Sequence, residues 1–497
     1  MNLDQLILEK SITEIQEALM NKLFTCEDLV RYYMSRIEQH SDYHAVICIN
    51  EKAIAIAKEQ DLRIQAGADM GTLFGTVVLL KDNIATMDMP TTVGADALRD
   101  MTATRDAFVV EKLKQADAII IGKANLSEWA NFMSEPSSNG FSVVGGPTKN
   151  AYGDYDAGGS SSGSAVGVSL NLATVSIGSE TCGSLIYPAS MNGIVTLKPT
   201  VGLLSRDLVM PITEAQDTLG PMGRCVEDVW SVFQVTLAYD QHDPKAQAAL
   251  EFNQSTFDEP LSEDYFKGKR IGLLKEASKR HEQLTSELMA LGATIIELDI
   301  DQEKVGIDMM PVLRYGIKED VKTFLNSSAI NCNMTCLEDV VAFNKINPEK
   351  SMPYGQKHFE DALGEAITKE AYEKKVESNY KISSDIIDGN MKQFNLDVMV
   401  SFVTDLAYIY ATAGYPAVIV PGGYTQGEED NNHADNGSDN QANNLNPSRD
   451  GAECHSQYGE PYGVTFVGTY LDDAKLLRYA YAYEKGTKHR KMPSTII

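Results

Sequence analysis

The chain has 497 residues and a formal charge of −27, and 43% of its residues are hydrophobic, enough to bury a large core. The acidic balance argues against nucleic acid, whose binding draws most of its affinity from a basic face, and against an anionic membrane surface. No stretch approaches the ~18 apolar residues that span a bilayer, the amino terminus lacks the pattern of a signal peptide, and seven scattered cysteines without a His cluster read as reduced thiols of a cytoplasmic protein with no metal site.

Residues 1–65 read as helical, with Leu23, Leu29, Tyr32, Tyr33 and Ile37 recurring at three- and four-residue steps. From residue 75 onward, short apolar runs alternate with helical stretches. GTVVLLK (75–81), a helix over 106–115 and AIIIGK (118–123) form a β-α-β unit. A helix over 164–173 and a strand over 173–179 follow a Gly/Ser loop. KRIGLLK (269–275), a helix near 281–291 and TIIELDI (294–300) repeat the alternation. Residues 301–395 read as mostly helical. LDVMVSF (396–402), YPAVIVPGG (415–423) and GVTFVGTYL (463–471) return to strands before a closing helix with Leu476, Leu477, Tyr479 and Tyr483. The polar, low-complexity stretch 425–457 cannot bury a core and reads as an acidic surface insertion. The pattern predicts one large α/β domain over 1–497, with a core region at 66–240.

The segment 158–200 carries most of the chemistry. Among its Gly, Ser and apolar residues the only charges are Glu180 and Lys198, and such a Gly/Ser density brings backbone N–H groups and hydroxyls close to a ligand. Three chemistries compete for it. Gly159 to Gly163 fits the G-x-S-x-G nucleophile elbow with Ser161 at its tip, but the downstream histidines lie in unpatterned surroundings. A phosphate cradle lacks the G-x4-G-K-[ST] context. A serine nucleophile with a lysine base is the third, and Lys81 ends the apolar run GTVVLL, where a partly dry site favours its neutral amine. Lowering such a group from ~10.4 to about 8 costs about 3.3 kcal/mol. By its residues alone, Lys81 beside Asp82 reads more readily as a solvated charge at a strand end.

GTVVLLKDNIATMDMPTTVGA (75–95), GGSSSGSA (158–165), GSETCGSLIYPA (178–189), GIVTLKPTVGLLSR (193–206), AGYPAVIVPGG (413–423) and the closing GVTFVGTYLDDAKLLRYAYAYE (463–484) closely resemble the amidase signature family, in the family's order and across most of the chain. The resemblance implies the amidase signature fold, a central mixed β-sheet covered on both faces by α-helices. It implies a Ser-Ser-Lys triad on Lys81, Ser160 and Ser184, a cis peptide at Gly159–Ser160, and an oxyanion hole from the backbone N–H groups of Thr181, Cys182, Gly183 and Ser184. The implied activity is hydrolysis of a carboxamide to carboxylate and ammonia through an acyl-enzyme, with no cofactor. Cys182 departs from the Gly or Asp frequent at its position, Ala151 and Ala157 replace prolines, which leaves the loop entry less rigid, and Asp156 replaces a basic or hydroxyl residue. GKANLSEWANF (122–132) is most similar to bacterial peptide amidases, so Trp129 and Phe132 are candidate walls of the acyl pocket and Asn131 a candidate partner for a peptide backbone. Ordinary core aromatics are the competing reading of the two rings. The glutaminase subunit of a tRNA-dependent amidotransferase also resembles the family and is the alternative assignment.

Overall fold

The computed structural model describes residues 3–301, 305–425 and 458–496; all of the polar 425–457 stretch except Thr425 lies outside them. Apolar runs line up as one eleven-stranded sheet. Its order is Val46–Ile49, Ile119–Ala124, Val77–Lys81, Val175–Glu180, Thr218–Gly223, Val195–Lys198, Ala417–Thr425, Glu460–Val467, Val398–Phe402, Arg270–Leu274 and Thr294–Leu298. The sheet is mixed. Val77–Lys81 runs parallel to both neighbours, with Leu79 opposite Ser176, whereas Thr218–Gly223 is antiparallel to the strands on either side.

Both faces of the sheet are covered, and the alternation of side chains shows how. In Val77–Lys81, Val78 and Leu80 join the main apolar cluster on one face, while Val77 and Leu79 pack with the helices Ile12–Met20 and Cys26–Gln39 on the other. Towards the far edge, Val418 and Val420 share that first cluster, and Ala417 and Ile419 pack into a second one. Strands buried on both sides read as continuous Val, Ile and Leu runs, which is why 75–81, 118–123 and 415–423 were visible as strands in the sequence.

The structure corrects some expected elements. Residues 3–65 hold the helices Leu3–Ile7, Ile12–Met20, Cys26–Gln39 and Ala53–Gln65, but also the strand Val46–Ile49, which pairs antiparallel with Ile119–Ala124 at the sheet edge. The helix after the Gly/Ser loop spans Ser162–Ser169 rather than 164–173, and all eight of its residues are buried. Its small side chains permit that depth. A Cβ on Gly163 would stand 2.3 Å from the Ala45 carbonyl oxygen. Residues 301–395 supply the helices Met310–Leu325, Leu337–Asn344, Lys357–Gly364 and Lys369–Gln393, as expected.

The parallel strands Val77–Lys81 and Val175–Glu180 end side by side, and the loops beyond them meet the Gly/Ser loop that opens Ser162–Ser169. Carboxyl ends of parallel strands are where α/β sheets gather ligands, because the connections there are free of the packing demands of the core.

Candidate active site

Lys81 is the last residue of its strand and is fully buried. Its Nζ donates to Ser160 Oγ at 2.7 Å, to Ser179 Oγ at 2.9 Å and to the Ser179 carbonyl at 3.1 Å. Burial pulls the amine down from its ordinary 10.5 to about 7, against the opposing pull of the Asp217 and Glu180 carboxylates. The amine thus lies desolvated at the end of its strand, among two hydroxyls and a carbonyl.

The Gly/Ser loop reaches Lys81 through a cis peptide at Gly159–Ser160. Gly159 is required by close approach, since a Cβ there would lie 2.4 Å from Ser127 Oγ. Ser160 is fully buried, and its carbonyl accepts the Ser127 N–H at 3.0 Å. The loop entry is held without prolines. Asp156 Oδ1 accepts the Gly158 N–H at 2.7 Å, its Oδ2 accepts from Asn139 at 3.0 Å and from the Tyr187 hydroxyl at 3.2 Å, and Asn192 Nδ2 donates to the Ala157 carbonyl at 2.8 Å. Side-chain hydrogen bonds therefore supply the fixity expected to be missing with Ala151 and Ala157. Ser161 Oγ is occupied structurally, donating to the Ser179 carbonyl at 3.0 Å and accepting the Ser179 N–H at 3.2 Å.

The turn Thr181–Ser184 leaves Val175–Glu180 and leads into the helix Ile186–Met191. Thr181 Oγ1 donates to Asp217 at 2.5 Å, and its carbonyl accepts from Gln216 at 2.9 Å. Glu180 Oε2 accepts the N–H groups of Leu185 at 2.8 Å and Ile186 at 3.2 Å, placing an anion at the start of the helix. Gly183 takes a φ of +79°, a conformation glycine adopts without Cβ strain. Among the described residues, the N–H groups of Cys182, Gly183 and Ser184 have no hydrogen-bond partner. Cys182 is half-buried, and burial together with the Glu180 carboxylate drives its thiol far above the ordinary range.

Lys81 and Ser160 are in direct contact. Ser184 is brought beside them through the backbone, its carbonyl accepting the Ser161 N–H at 3.2 Å. Its half-buried hydroxyl makes no hydrogen bond among the described residues. A cavity of about 190 Å³ opens next to this cluster, touching Asn83, Ser179, Thr181, Asp217 and Arg206 but neither Ser160 nor Ser184.

The segment from Trp129 to Asn131 is a bend of three consecutive left-handed residues, with φ of 53°, 52° and 68°. Trp129 is 1% exposed and packs edge-on against Phe359 at 5.2 Å, and Phe132 stacks on His358 at 4.8 Å. Both rings thus belong to the packed interior, while Asn131 is exposed and accepts from Ser137 at 2.8 Å. Four partners of the cluster were missed in the sequence: Ser179, Asn83 (which donates to Ser179 Oγ at 3.0 Å), Asp217 and Gln216. Asn83 was within sight, two residues beyond Lys81; the others join the site only through tertiary contacts.

A model of the family described as Amidase matches residues 28–477. A probable amidase of Arabidopsis thaliana is 33% identical over 99% of this chain and 92% of its own length. A glutamyl-tRNA(Gln) amidotransferase subunit of Rippkaea orientalis is 26% identical over 97% of this chain and 99% of its own. Among solved structures, the native peptide amidase of Stenotrophomonas maltophilia superposes with a TM-score of 0.84 at 31% identity, covering 98% of both chains.

Proposed function

The chain belongs to the amidase family and hydrolyses amides, and we propose that it does so through Lys81, Ser160 and Ser184, on the C-terminal amide of a peptide. The observation that carries this reading is the fully buried Lys81 amine 2.7 Å from Ser160 Oγ. A neutral amine has two N–H donors and one lone pair. The Ser179 carbonyl can only accept and takes one N–H; the two hydroxyls around Nζ can each give or take a proton. With the second N–H on Ser179 Oγ, the lone pair accepts the Ser160 hydroxyl proton.

In that state Ser160 accepts the proton of Ser184 as Ser184 Oγ attacks the amide carbon, and its own proton passes to Lys81. The carbonyl oxygen becomes an oxyanion within reach of the uncommitted N–H groups of the turn, which include Cys182 and Gly183; one such donor contributes about 3 kcal/mol to the transition state. The lysine proton returns through Ser160 to the leaving nitrogen. The C–N bond breaks and ammonia departs. Water then attacks the Ser184 ester by the same relay, freeing the carboxylate and restoring the hydroxyl. The chemistry draws on this chain's side chains and backbone alone.

The likeness to a peptide amidase at 31% identity supports an amidated peptide as substrate. The free state of the six described cysteines supports a reducing, cytoplasmic setting. No helix among the described residues is long and apolar enough to cross a membrane. With an acidic chain, the reading names a small amide as partner rather than nucleic acid or membrane. The test is ammonia release from an amidated dipeptide: S184A falls to background while remaining folded, and retained turnover would overturn the assignment of the nucleophile. The relative at 26% identity favours one second reading, a glutaminase subunit. Glutamine hydrolysis that needs added partner subunits, with no turnover of amidated peptides, would establish that reading instead.

A further inference from the structure

Glu128 follows Ser127, whose backbone N–H bonds the Ser160 carbonyl. The residue is 7% exposed. Its Oε2 accepts the Val143 N–H at 3.1 Å, and its Oε1 has no partner among the described residues. The side chain lines a recess of about 20 Å³ shared with Asn131, Ser134, Ser137, Phe141 and Tyr354. A space of that size holds a single water-sized group, which is also the size of a primary ammonium.

The chemistry of the lining selects the ligand. Ser134 Oγ donates to the Tyr354 carbonyl at 2.6 Å, and Ser137 Oγ donates to Asn131 Oδ1 at 2.8 Å. Both hydroxyl protons are committed within the wall, which leaves lone pairs, together with Glu128 Oε1, to meet an incoming group. A wall rich in acceptors suits a donor. The left-handed bend that begins at Trp129 is what brings Glu128 and Asn131 to the same small space. Burial, with a minor push from Asp96, raises the Glu128 carboxyl to about 8, so an ammonium that binds here displaces its proton and pairs with the carboxylate that results.

We propose that this recess is the subsite for a free primary ammonium on a short amide substrate, with Glu128 as its counter-ion and the residue that sets this preference. The proposal rests on the reading of Ser184 and its relay as the site of hydrolysis. It predicts discrimination between a substrate with a free amino terminus and the same substrate capped.

The experiment compares kcat/KM for an amidated dipeptide and its N-acetylated form. Wild type favours the free form by about tenfold or more, the scale of one charge-assisted hydrogen bond. In E128Q, which retains an acceptor for the Val143 N–H, the ratio of the two kcat/KM values falls to near unity. A residue that only supported the fold would depress both substrates alike and leave the ratio in place. Equal kcat/KM values in wild type, a measurement that needs no variant, would overturn the subsite while leaving the hydrolysis reading intact. So would an unchanged preference in E128Q. Turnover that survives in S184A with the tenfold preference intact would instead overturn the relay and retain the recess.

Discussion

The strands Val77–Lys81 and Val195–Lys198 both end in a fully buried lysine, yet the two ends are built for different tasks. Lys198 donates to two backbone carbonyls, Pro199 at 3.0 Å and Tyr415 at 2.7 Å. Lys81 donates to one carbonyl and two hydroxyls. Burial lowers both amines, to about 8 and about 7, so desolvation alone does not separate them. The partners do. A carbonyl accepts a proton's attention but has none to give, so Lys198 is fixed as a donor that ties its strand to the start of Ala417–Thr425. A hydroxyl can reverse its role, and of these two amines Lys81 is the one with hydroxyl partners, as the proposed relay requires. What makes a buried lysine useful for catalysis is thus the reversibility of its hydrogen bonds.

Exchanging the two amines for apolar or truncated side chains breaks the comparison most directly. K81A lowers kcat by about 10⁴-fold or more, the scale seen when one member of a catalytic unit is removed, while the protein stays folded. K198M leaves two buried carbonyls without a donor and costs about 1–3 kcal/mol of stability in urea titration, with turnover held to within about tenfold. The opposite pattern would mean that the roles of the two ends have been exchanged.

The pH profile sharpens the contrast. In the proposed relay the neutral amine is the competent form, and burial depresses its value from 10.5 to about 7. Activity is therefore low below that point, rises through it and levels off on the alkaline side. The Asp217 carboxylate raises Lys81, so D217N moves the midpoint of kcat/KM to lower pH; a move to higher pH would exclude Lys81 as the titrating group. The smallest effect is expected at Ser161. Its hydroxyl serves Ser179 alone, so S161A loses about 1 kcal/mol of stability and retains most of its turnover. Complete loss of turnover would restore Ser161 as nucleophile.

Much of this was legible in the sequence where the pattern is local. The strands buried on both faces stand out as apolar runs, and the motifs that resemble the family name Lys81, Ser160 and Ser184. Elements that break local rules were not legible. Thr218–Gly223, TLGPMG, carries two glycines and Pro221, a composition that argues against a strand, yet it lies inside the sheet with Pro221 opposite Ile177. Val46–Ile49 is a four-residue edge strand between helices, too short to show a period. In the site, Ser179 and Asp217 escaped for a related reason. Ser179 lies 98 positions from Lys81, and Asp217 lies 36 from Thr181, so only the folded sheet makes either a neighbour. Trp129 and Phe132 read somewhat more readily as core than as pocket walls, and their packing depends on the left-handed bend, which no spacing announces.

The protonated sulfur of Cys182 has a practical corollary. Thiolates, not thiols, react with alkylating agents and peroxides, and this sulfur is kept out of the anionic form by its surroundings. An electrophile entering the cleft meets a quiet sulfur in the same turn as Ser184, the proposed nucleophile. Alkylating agents and peroxides are therefore expected to react slowly at this position.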